Sequence, residues 1–400
     1  MIPFGHLVPH ILRMLPFLHT LITGAIFSAW SLALLLVWHY RPCYPRLSTV
    51  EIHQEQLAEL PKLSVVVPAC NEAKTVGYAM RSLLAIEYPD LEIIAVNDRS
   101  TDETGDILDC LAAGNSRLRV LHIDRLPDGW LGKNHALHVG SLEARGDWIL
   151  FTDADVVYRP DALEKTVAYA RMTGADHLVA CPHCRGYDFW ERLFMSYFGL
   201  MFLFRIRPWE VERSGRSAYF GFGAFNLVKT ASYRKCGGHG ALPMEVADDT
   251  KLGKILKQNG FHTRIVDASD HISLRWVIGL RGIMDGFIKN AFASFDFSLL
   301  RTVGGLCGLG FSALYPVFAL LPPVAPARCL AVGTLLAMVG GAYAMRRVTD
   351  ADARYGLAYP LAGLMVIGII MRSTWVTLRQ RGIVWRGTSY PLDELKRGIV

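Results

Sequence analysis

The chain has 400 residues, of which 52% are hydrophobic and 20% charged, and its formal net charge is +6. This composition is too apolar for an ordinary soluble protein of this length and too polar for one wholly embedded in a membrane, and the length suits about two to three domains. The positive charge suits anionic lipid headgroups or phosphorylated substrates, whereas scattered Lys and Arg without a basic tract argue against nucleic acid as a partner.

The first predicted element is a transmembrane anchor within residues 1–45. The run from Phe17 to Trp38 contains no Lys, Arg, Asp or Glu, and about 22 residues at 1.5 Å each span a hydrocarbon core of ~30 Å. The run is too long for the apolar part of a signal peptide. Because Arg41 and Arg46 follow it, the positive-inside rule predicts an integral protein, of the bacterial inner-membrane type, whose next domain is cytoplasmic.

Strand-like and helix-like patterns alternate through residues 60–275. The run 64–67 is continuously apolar and mostly β-branched, as a strand buried on both faces requires. Further strands are predicted at 91–96, 119–123, 148–151 and 177–180, and helices at 73–86, 101–111, 133–144 and 161–172. This alternation predicts an α/β domain with a Rossmann-like, mostly parallel sheet covered by helices on both faces.

Beyond residue 275 the chain is predicted to return to the membrane. Residues 276–300 have the pattern of an amphipathic helix, which either lies at the membrane surface or packs between domains. Within a C-terminal transmembrane region at 301–378, apolar segments are predicted at 303–324, 330–345 and 357–371. Three crossings would export the basic tail 379–400, so we expect the proline-containing first segment to be re-entrant and the tail to be cytoplasmic.

Two carboxylates follow the predicted strand 148–151. Asp153 and Asp155 are two positions apart, so on an extended segment they point the same way. A hard cation such as Mg²⁺ or Mn²⁺ takes carboxylate oxygens together with substrate phosphates. Such triplets are common on solvated loops, but ligands of open α/β sheets bind beyond the carboxyl ends of the strands. The position therefore favours a metal site.

Other polar residues are predicted to share this edge of the sheet. Asp98 ends a predicted strand, and Lys133 precedes a helix, where a cation and backbone N–H groups meet a pyrophosphate. Together these groups are suited to a nucleotide diphosphate. Asp248 and Asp249 add a carboxylate pair, one of which is a candidate general base for an acceptor hydroxyl. Taken singly, each of these acids is more often a helix cap or a solvated side chain.

Three further patterns leave alternatives open. Arg275 and Trp276 place a cation near the diphosphate or are simply a pair at a membrane edge. The aromatic run 191–204 predicts a core helix or the floor of a lipid-acceptor groove. The spacing of cysteines and histidines alone allows a four-ligand zinc site, and its candidate ligands are Cys181, His183, Cys184, Cys236 and His239. The alternative is that Cys181 ends a buried strand and that residues 236–239 form a glycine turn. The eight cysteines are otherwise dispersed, which favours reduced thiols.

Several motifs, taken in order, resemble the signature of family 2 glycosyltransferases with the GT-A fold. They are Val65-Val66-Val67-Pro68-Ala69-Cys70-Asn71-Glu72, Val96-Asn97-Asp98-Arg99-Ser100-Thr101-Asp102, Phe151-Thr152-Asp153-Ala154-Asp155 and Asp248-Asp249. Segments 126–133, 223–227 and 384–390 further resemble the membrane-bound branch. That branch includes ceramide glucosyltransferase-like, hopanoid-associated and carotenoid-acid glycosyltransferases.

The resemblance implies a hexosyltransferase that moves a sugar, with inversion, from a UDP-sugar to a membrane lipid in glycolipid synthesis. The positions matching the uridine site are Pro68, Ala69, Glu72 and Asp98. Asp153 then lies near the ribose and an Mg²⁺ or Mn²⁺ ion, Asp155 ligates that ion, and Asp249 matches the catalytic base.

Arg275 and Trp276 match the end of a Gln-x-x-Arg-Trp motif, but Ile272 stands at the Gln position. The departure favours one transfer to a lipid over a processive polysaccharide synthase of the same family. A membrane scaffold with a degenerate nucleotide-binding domain is the non-catalytic alternative. Intact Asp98, Asp153, Asp155 and Asp249 argue against the scaffold.

Overall fold

A seven-stranded sheet organises the middle of the chain in this computed structural model, which describes residues 4–40, 44–213, 215 and 217–399. The side chains of residues 4–13, 54 and 58 lie outside the description, as does Arg41 of the predicted basic flank. The sheet has the order β3-β2-β1-β4-β8-β6-β9. Its strands are β1 (Leu63–Ala69), β2 (Leu91–Asp98), β3 (Leu118–Ile123), β4 (Trp148–Phe151), β6 (His177–Cys181), β8 (Asn226–Lys229) and β9 (Thr263–Asp267).

The sheet is mostly parallel, which confirms the predicted fold class. β1 pairs in parallel with both β2 and β4, whereas β8 runs antiparallel to β4 and β6. Val65 and Val67 pack into the apolar core on one face of the sheet and Val66 into the core on the other. Burial on both faces is the reason that β1 is apolar without alternation.

Helices cover both faces of the sheet. Those on one face include α3 (Val76–Leu84), α4 (Thr104–Ala113) and α6 (Ala162–Met172). Those on the other include α5 (Gly132–Glu143), α9 (Thr230–Lys235) and α10 (Asp248–Gln258). Two short helices, α2 (Gln54–Ala58) and α8 (Pro208–Val211), and a small sheet of β5 (Val157–Tyr158), β10 (Ile272–Leu274) and β7 (His183–Cys184) complete the domain.

Helix α7 (Phe189–Ile206) is a core helix. Asp188 caps its N-terminus by accepting a hydrogen bond from the Glu191 backbone N–H at 2.8 Å. Phe194 and Tyr197 are fully buried and belong to a second apolar core, which joins the α/β domain to the C-terminal helices. The core-helix interpretation of residues 191–204 therefore agrees with the structure.

The predicted single helix at 276–300 is two short helices. These are α11 (Gly279–Gly286) and α12 (Ile288–Ala293), with buried Phe287 between them. Ile283, Phe287 and Phe292 pack inward, while Ile278 and Arg281 are exposed. The segment thus packs against the domain on one side and presents apolar and basic groups on the other.

Within the part of the chain that the structure describes, three helical stretches are long and apolar enough to cross a membrane, namely Met14–Tyr40, Ala325–Met345 and Ala353–Gln380. They belong to α1 (Phe4–Tyr40), α15 (Ala325–Met345) and α16 (Tyr359–Gln380), the last preceded by a 3-10 segment. Between α12 and α15 lies an interrupted stretch of α13 (Leu299–Leu309), a π-helical turn (Gly310–Leu314) and α14 (Tyr315–Phe318). The apolar helices at both ends of the chain are as predicted.

Helices α1 and α15 run parallel. Phe27 lies against Gly333 and Leu34 against Gly340, so the contact positions advance together along both helices. The absence of a side chain at these glycines lets the helices approach closely. At their shared end, the Tyr40 ring stacks on Trp209 of the α/β domain at 5.2 Å.

The interrupted stretch runs the opposite way. Trp30 Nε1 donates to the Ser312 carbonyl at 2.9 Å, and Tyr315 OH lies 2.7 Å from His19 Nδ1. As the residue number rises along the interrupted stretch, its contacts with α1 lie farther from the domain. The proline-containing segment is the one that runs away from the domain, and α15 returns.

Both ends of α16 lie beside the α/β domain. Tyr359 OH is 2.9 Å from Ser196 Oγ of α7, and near the other end Ser373 Oγ accepts from the Phe292 N–H of α12 at 3.0 Å. A hairpin of β11 (Gly382–Trp385) and β12 (Thr388–Pro391), followed by α17 (Leu392–Arg397), then packs on the domain. The basic tail therefore lies on the same side as the domain.

Candidate active site

Four carboxylates surround one lysine at the carboxyl edge of the sheet. Lys133 Nζ in the first turn of α5 lies 2.7 Å from Asp153 Oδ1 and 3.9 Å from Asp248 Oδ1. Asp155 interacts electrostatically with Asp153, and Asp249 with Lys133. We call Lys133, Asp153, Asp155, Asp248 and Asp249 the reaction-centre cluster. Residues from β4, α5 and α10 meet there because successive strands end at one edge.

The chain turns at Ala154 and Asp155, directly after Asp153. The strand ends at Phe151, so the predicted extended segment is absent. The Asp153 N–H donates to the Gly223 carbonyl at 3.1 Å. Tertiary contacts, rather than strand alternation, place the two carboxylates together.

Gly223 joins the two halves of the cluster. Its carbonyl accepts from Asp153, and its N–H donates to Asp249 Oδ2 at 2.7 Å. A Cβ at this position would lie 2.7 Å from Asp153 Oδ2 and 3.2 Å from Lys133 Nζ. A side chain here would push the ends of the Asp153 and Lys133 side chains away from their present positions. Sequence reasoning noted the segment but assigned Gly223 no role.

Asp155 has the surroundings of a metal ligand. Its Oδ1 is buried without a hydrogen-bond partner among the described residues. Burial, followed by the charges of Asp153 and Glu72, raises the pKa of Asp155 to about 7. A hard divalent cation would relieve this repulsion, taking its other ligands from substrate phosphates and water. The residues present therefore fit Mg²⁺ or Mn²⁺.

Burial and the positive charge of Lys133 have opposite effects on the pKa values of the aspartates in the cluster. Burial raises the pKa of Asp153, but the charge and hydrogen bond of Lys133 outweigh burial and hold that pKa below its usual value. At Asp249, burial is the larger effect and raises the pKa despite Lys133. Asp249 Oδ1 also accepts the Thr250 N–H at 2.7 Å. Asp249 is thus an oriented carboxylate of increased basicity, as a general base requires.

The predicted nucleotide residues line the neighbouring strand ends. Pro68 and Ala69 end β1, and Asp98 ends β2. Asp98 forms two hydrogen bonds with Arg99, at 2.7 and 3.0 Å. Glu72 Oε1 accepts from Arg386 Nη2 at 2.5 Å.

The C-terminal hairpin covers this edge. Tyr390 OH accepts the Gly132 N–H at 3.2 Å, and Thr388 Oγ1 accepts from Arg99 Nη1 at 3.2 Å. Together with the Arg386–Glu72 pair, these contacts bring residues more than 250 positions apart to the predicted nucleotide site. The sequence motif of the tail was noted, but its position was not predicted.

Arg275, whose motif implies a position at the diphosphate, forms an ion pair with a residue of α7. Its guanidinium donates to both oxygens of Glu191, at 2.7 and 3.2 Å, and sits 4.6 Å from the Tyr187 ring centroid. Glu191 also accepts the Gly279 N–H at 2.7 Å. We call this Glu191–Arg275 pair the α7 clamp, since it holds the start of α11 on α7.

Trp276 belongs to an aromatic wall beside the reaction-centre cluster. Its ring lies 6.1 Å from Phe222, 5.6 Å from Phe198 and 5.1 Å from Phe287 between centroids. Phe222 precedes Gly223, which hydrogen-bonds Asp249. The wall therefore extends from the candidate base to α7 and α11.

The structure does not form the zinc site considered from spacing. His183 contacts the Arg347 carbonyl and Asp350, and His239 contacts the Tyr233 hydroxyl. Among the described residues, no group of three or more His, Cys, Asp or Glu is placed to hold a metal ion, and every described cysteine is free.

Comparison with known proteins adds the family. Residues 64–235 match glycosyl transferase family 2. Relatives include 4,4'-diaponeurosporenoate glycosyltransferases of Staphylococcus aureus strains MRSA252 and USA300, each 24% identical and covering 83% of this chain and 89% of the relative.

A similar solved structure is the mannosyltransferase PcManGT from Pyrobaculum calidifontis in complex with GDP-Man and Mn²⁺. It covers 90% of this chain and 99% of its own, with a TM-score of 0.59 and 17% sequence identity. At this identity the similarity shows the fold. The chain therefore carries a glycosyltransferase family 2 domain with the GT-A fold, and the protein is a glycosyltransferase.

Proposed function

We propose that the protein transfers one sugar, with inversion, from a UDP-sugar to a hydroxyl or carboxyl group of an apolar membrane acceptor. The observation that carries this proposal is the reaction-centre cluster beside an aromatic wall that leads to α7 and α11. The cluster has the charges needed for a nucleotide diphosphate, and the wall suits an apolar acceptor.

The donor would occupy the carboxyl edge of the sheet. Pro68, Ala69, Glu72 and Asp98 border the space for the nucleoside, and Asp153 and Asp155 would hold Mg²⁺ or Mn²⁺. When bound, the ion offsets negative charge on the departing diphosphate. Lys133 places a further positive charge 2.7 Å from Asp153, where it is available to the same phosphates.

Asp249 would act on the acceptor. Its carboxylate is oriented by the N–H groups of Gly223 and Thr250, and its raised pKa increases its affinity for a proton. An acceptor hydroxyl loses its proton to Asp249 while its oxygen attacks the anomeric carbon from the face opposite the diphosphate. A carboxyl acceptor reaches the site already ionised at neutral pH.

An apolar acceptor agrees with the relatives. The names of these relatives identify 4,4'-diaponeurosporenoate as their acceptor. Here, the partly exposed rings of Trp276 and Phe222 form an apolar surface next to the Asp249 loop, and buried Phe287 supports Trp276 from behind. Such a surface holds an acceptor chain by removing apolar area from water.

The packing directions support a membrane topology. In this proposal α1 crosses toward the domain, the interrupted stretch 299–318 crosses away, and α15 returns, while α16 stays on the side of the domain because both of its ends contact domain-side elements. The tail then shares the cytoplasmic side with the domain. The tail stays on the cytoplasmic side in this arrangement because α16 does not cross the membrane. The sequence had instead predicted that the proline-containing segment would be the one that does not cross.

The test is release of nucleoside diphosphate by the detergent-purified protein over a panel of UDP-sugars and GDP-mannose. Each donor is supplied with Mn²⁺ or Mg²⁺ and then with chelator, with and without extracted membrane lipid. We expect release from one UDP-sugar, dependent on metal and stimulated by lipid. Release of nucleoside diphosphate from GDP-mannose alone would contradict a UDP-sugar donor. Release at the same rate with and without lipid would contradict an apolar acceptor.

A further inference from the structure

A lysine outside the family 2 domain reaches the reaction-centre cluster. Lys289 lies on α12, and its Nζ sits 3.3 Å from the centroid of the Trp385 ring in the C-terminal hairpin. Lys289 interacts electrostatically with Lys133, Arg386, Asp248 and Asp153. Among the described residues no carboxylate lies within 4 Å of its ammonium group, so Lys289 has a ring contact but no ion pair.

The surroundings of Lys289 are electrostatically unfavourable without a further anion. Burial, then the positive charges of Lys133 and Arg386, lower the pKa of Lys289 to about 7. The nearest cations are themselves paired, Lys133 with Asp153 and Arg386 with Glu72. A partly buried cation without a paired anion costs free energy unless a ligand supplies the opposite charge. Three cations that approach one site suit an anion with more than one negative charge.

Arg275, which its motif would place at the diphosphate, already has an anionic partner. Arg275 forms the α7 clamp with Glu191, which has a fully buried side chain. A cation without a carboxylate partner is better placed to pair with the diphosphate. Lys289 is such a cation, and Trp385, which it contacts, precedes Arg386 at the edge of the sheet that carries Glu72.

We propose that Lys289 binds the diphosphate of the nucleotide-sugar donor and so serves as a donor-binding residue supplied by the membrane-proximal helix α12. The inference rests on the proposed function, since it requires a nucleoside diphosphate at the reaction-centre cluster. On binding, the diphosphate oxygens take the ammonium as a charge-assisted hydrogen-bond donor. The Trp385 ring lies against the ammonium group of Lys289, so the hairpin positions this lysine.

The arrangement links donor binding to the membrane region. Phe292 on α12 donates its N–H to Ser373 of α16 and packs in the same apolar cluster as Ile383 and Tyr390 of the hairpin. Lys289 is therefore fixed by elements that follow the family 2 domain in the chain. The donor site is complete only when α12 and the hairpin are packed on the domain.

The test compares binding of UDP and of uridine by calorimetry, using full-length protein in detergent, with Mn²⁺ and with chelator. The variants are Lys289→Gln, Lys289→Arg and, as a matched control, Lys235→Gln, whose exposed lysine lies 5.6 Å from the Phe261 ring. For Lys289→Gln we expect the Kd for UDP to rise about 10–100-fold, the range for loss of a charged hydrogen bond, with uridine binding unchanged. Lys289→Arg keeps most of the affinity, and Lys235→Gln keeps all of it.

Equal UDP affinity in wild type and Lys289→Gln overturns the inference and leaves the proposed function standing. An increase in acceptor KM alone, with UDP affinity kept, also overturns it and assigns Lys289 to the acceptor. Loss of uridine binding in Lys289→Gln that Lys289→Arg does not rescue shows a structural role and overturns it as well. If the wild-type protein binds neither UDP nor another nucleoside diphosphate, the proposed function fails first.

Discussion

The reaction-centre cluster and the α7 clamp differ in how completely their charges are paired. In the clamp, Glu191 receives two hydrogen bonds from Arg275 and one each from the Tyr187 and Gly279 N–H groups. In the cluster, Asp155 has a buried oxygen without a partner, and Asp249 has a raised pKa.

This difference distinguishes a structural ion pair from a site prepared for ligands. A fully hydrogen-bonded carboxylate is already at low free energy and gains little from a ligand. Incompletely satisfied carboxylates are costly until a cation or substrate arrives. The two regions therefore predict opposite responses to substitution, in stability at the clamp and in binding or turnover at the cluster.

The largest effect is expected at Asp249. Asp249→Asn removes the proton acceptor and keeps the size of the side chain, so kcat with a hydroxyl acceptor should fall about 10²–10⁴-fold. Steady-state kinetics with the preferred donor measure this, and UDP binding should be nearly unchanged. Asp109→Asn, at an exposed carboxylate paired with His122, is the control and should keep wild-type kcat. A wild-type kcat in Asp249→Asn would show that Asp249 is not the general base.

Asp155→Asn should separate binding from stability. Loss of a direct ligand should weaken Mn²⁺ binding by at least about tenfold, a loss already seen when outer-shell partners of metal ligands are removed. The metal-free variant should melt at a higher temperature than metal-free wild type, because one of two repelling carboxylates is neutral. Mn²⁺ titration by electron paramagnetic resonance and thermal melts in chelator measure the two effects. Unchanged Mn²⁺ affinity would exclude Asp155 as a ligand.

Arg275→Met should show the opposite pattern. It leaves Glu191 with fewer partners, so we expect the free energy of unfolding to fall by about 1–3 kcal/mol. The donor KM should change little, since Arg275 contacts Glu191 and not the cluster. Thermal melts together with donor kinetics test this, with Arg281→Met at a largely exposed arginine as the control. A large rise in donor KM without loss of stability would indicate that Arg275 binds the diphosphate.

The smallest expected effect is on acid stability. Burial alone would raise the pKa of Glu191, but the Arg275 hydrogen bond and two backbone N–H groups outweigh it and lower that pKa to about 2. A carboxylate with a lowered folded-state pKa contributes stability above its unfolded pKa of about 4.3. That contribution is lost as pH falls from this value toward the folded one. Wild type should therefore be more stable than Glu191→Gln at pH 7, and the difference should shrink below pH 4.3.

Local pattern was sufficient for the sheet and most of the carboxylates. The unbroken apolar run of β1 predicts burial on both faces, and parallel strands bring Asp98 and Asp153 to one edge. The extended Asp153–Asp155 segment was a wrong prediction because β4 ends at Phe151 and the chain turns to contact Gly223.

Long-range packing decided the rest. Arg275 has a partner 84 positions away, and nothing near Arg275 in the sequence indicates Glu191. Lys289 and Arg386 reach the cluster only because α12 and the hairpin fold back onto the domain. Charged residues in an amphipathic segment and a basic tail do not reveal from sequence which of them turn inward.

The most direct test of the account is transfer of labelled sugar from the preferred nucleotide donor into an extractable lipid by the purified protein. We predict one labelled glycolipid, lost with chelator and restored by Mn²⁺ or Mg²⁺. A long water-soluble polymer, or label that reaches lipid equally well in chelator, would contradict a metal-assisted single transfer at the reaction-centre cluster.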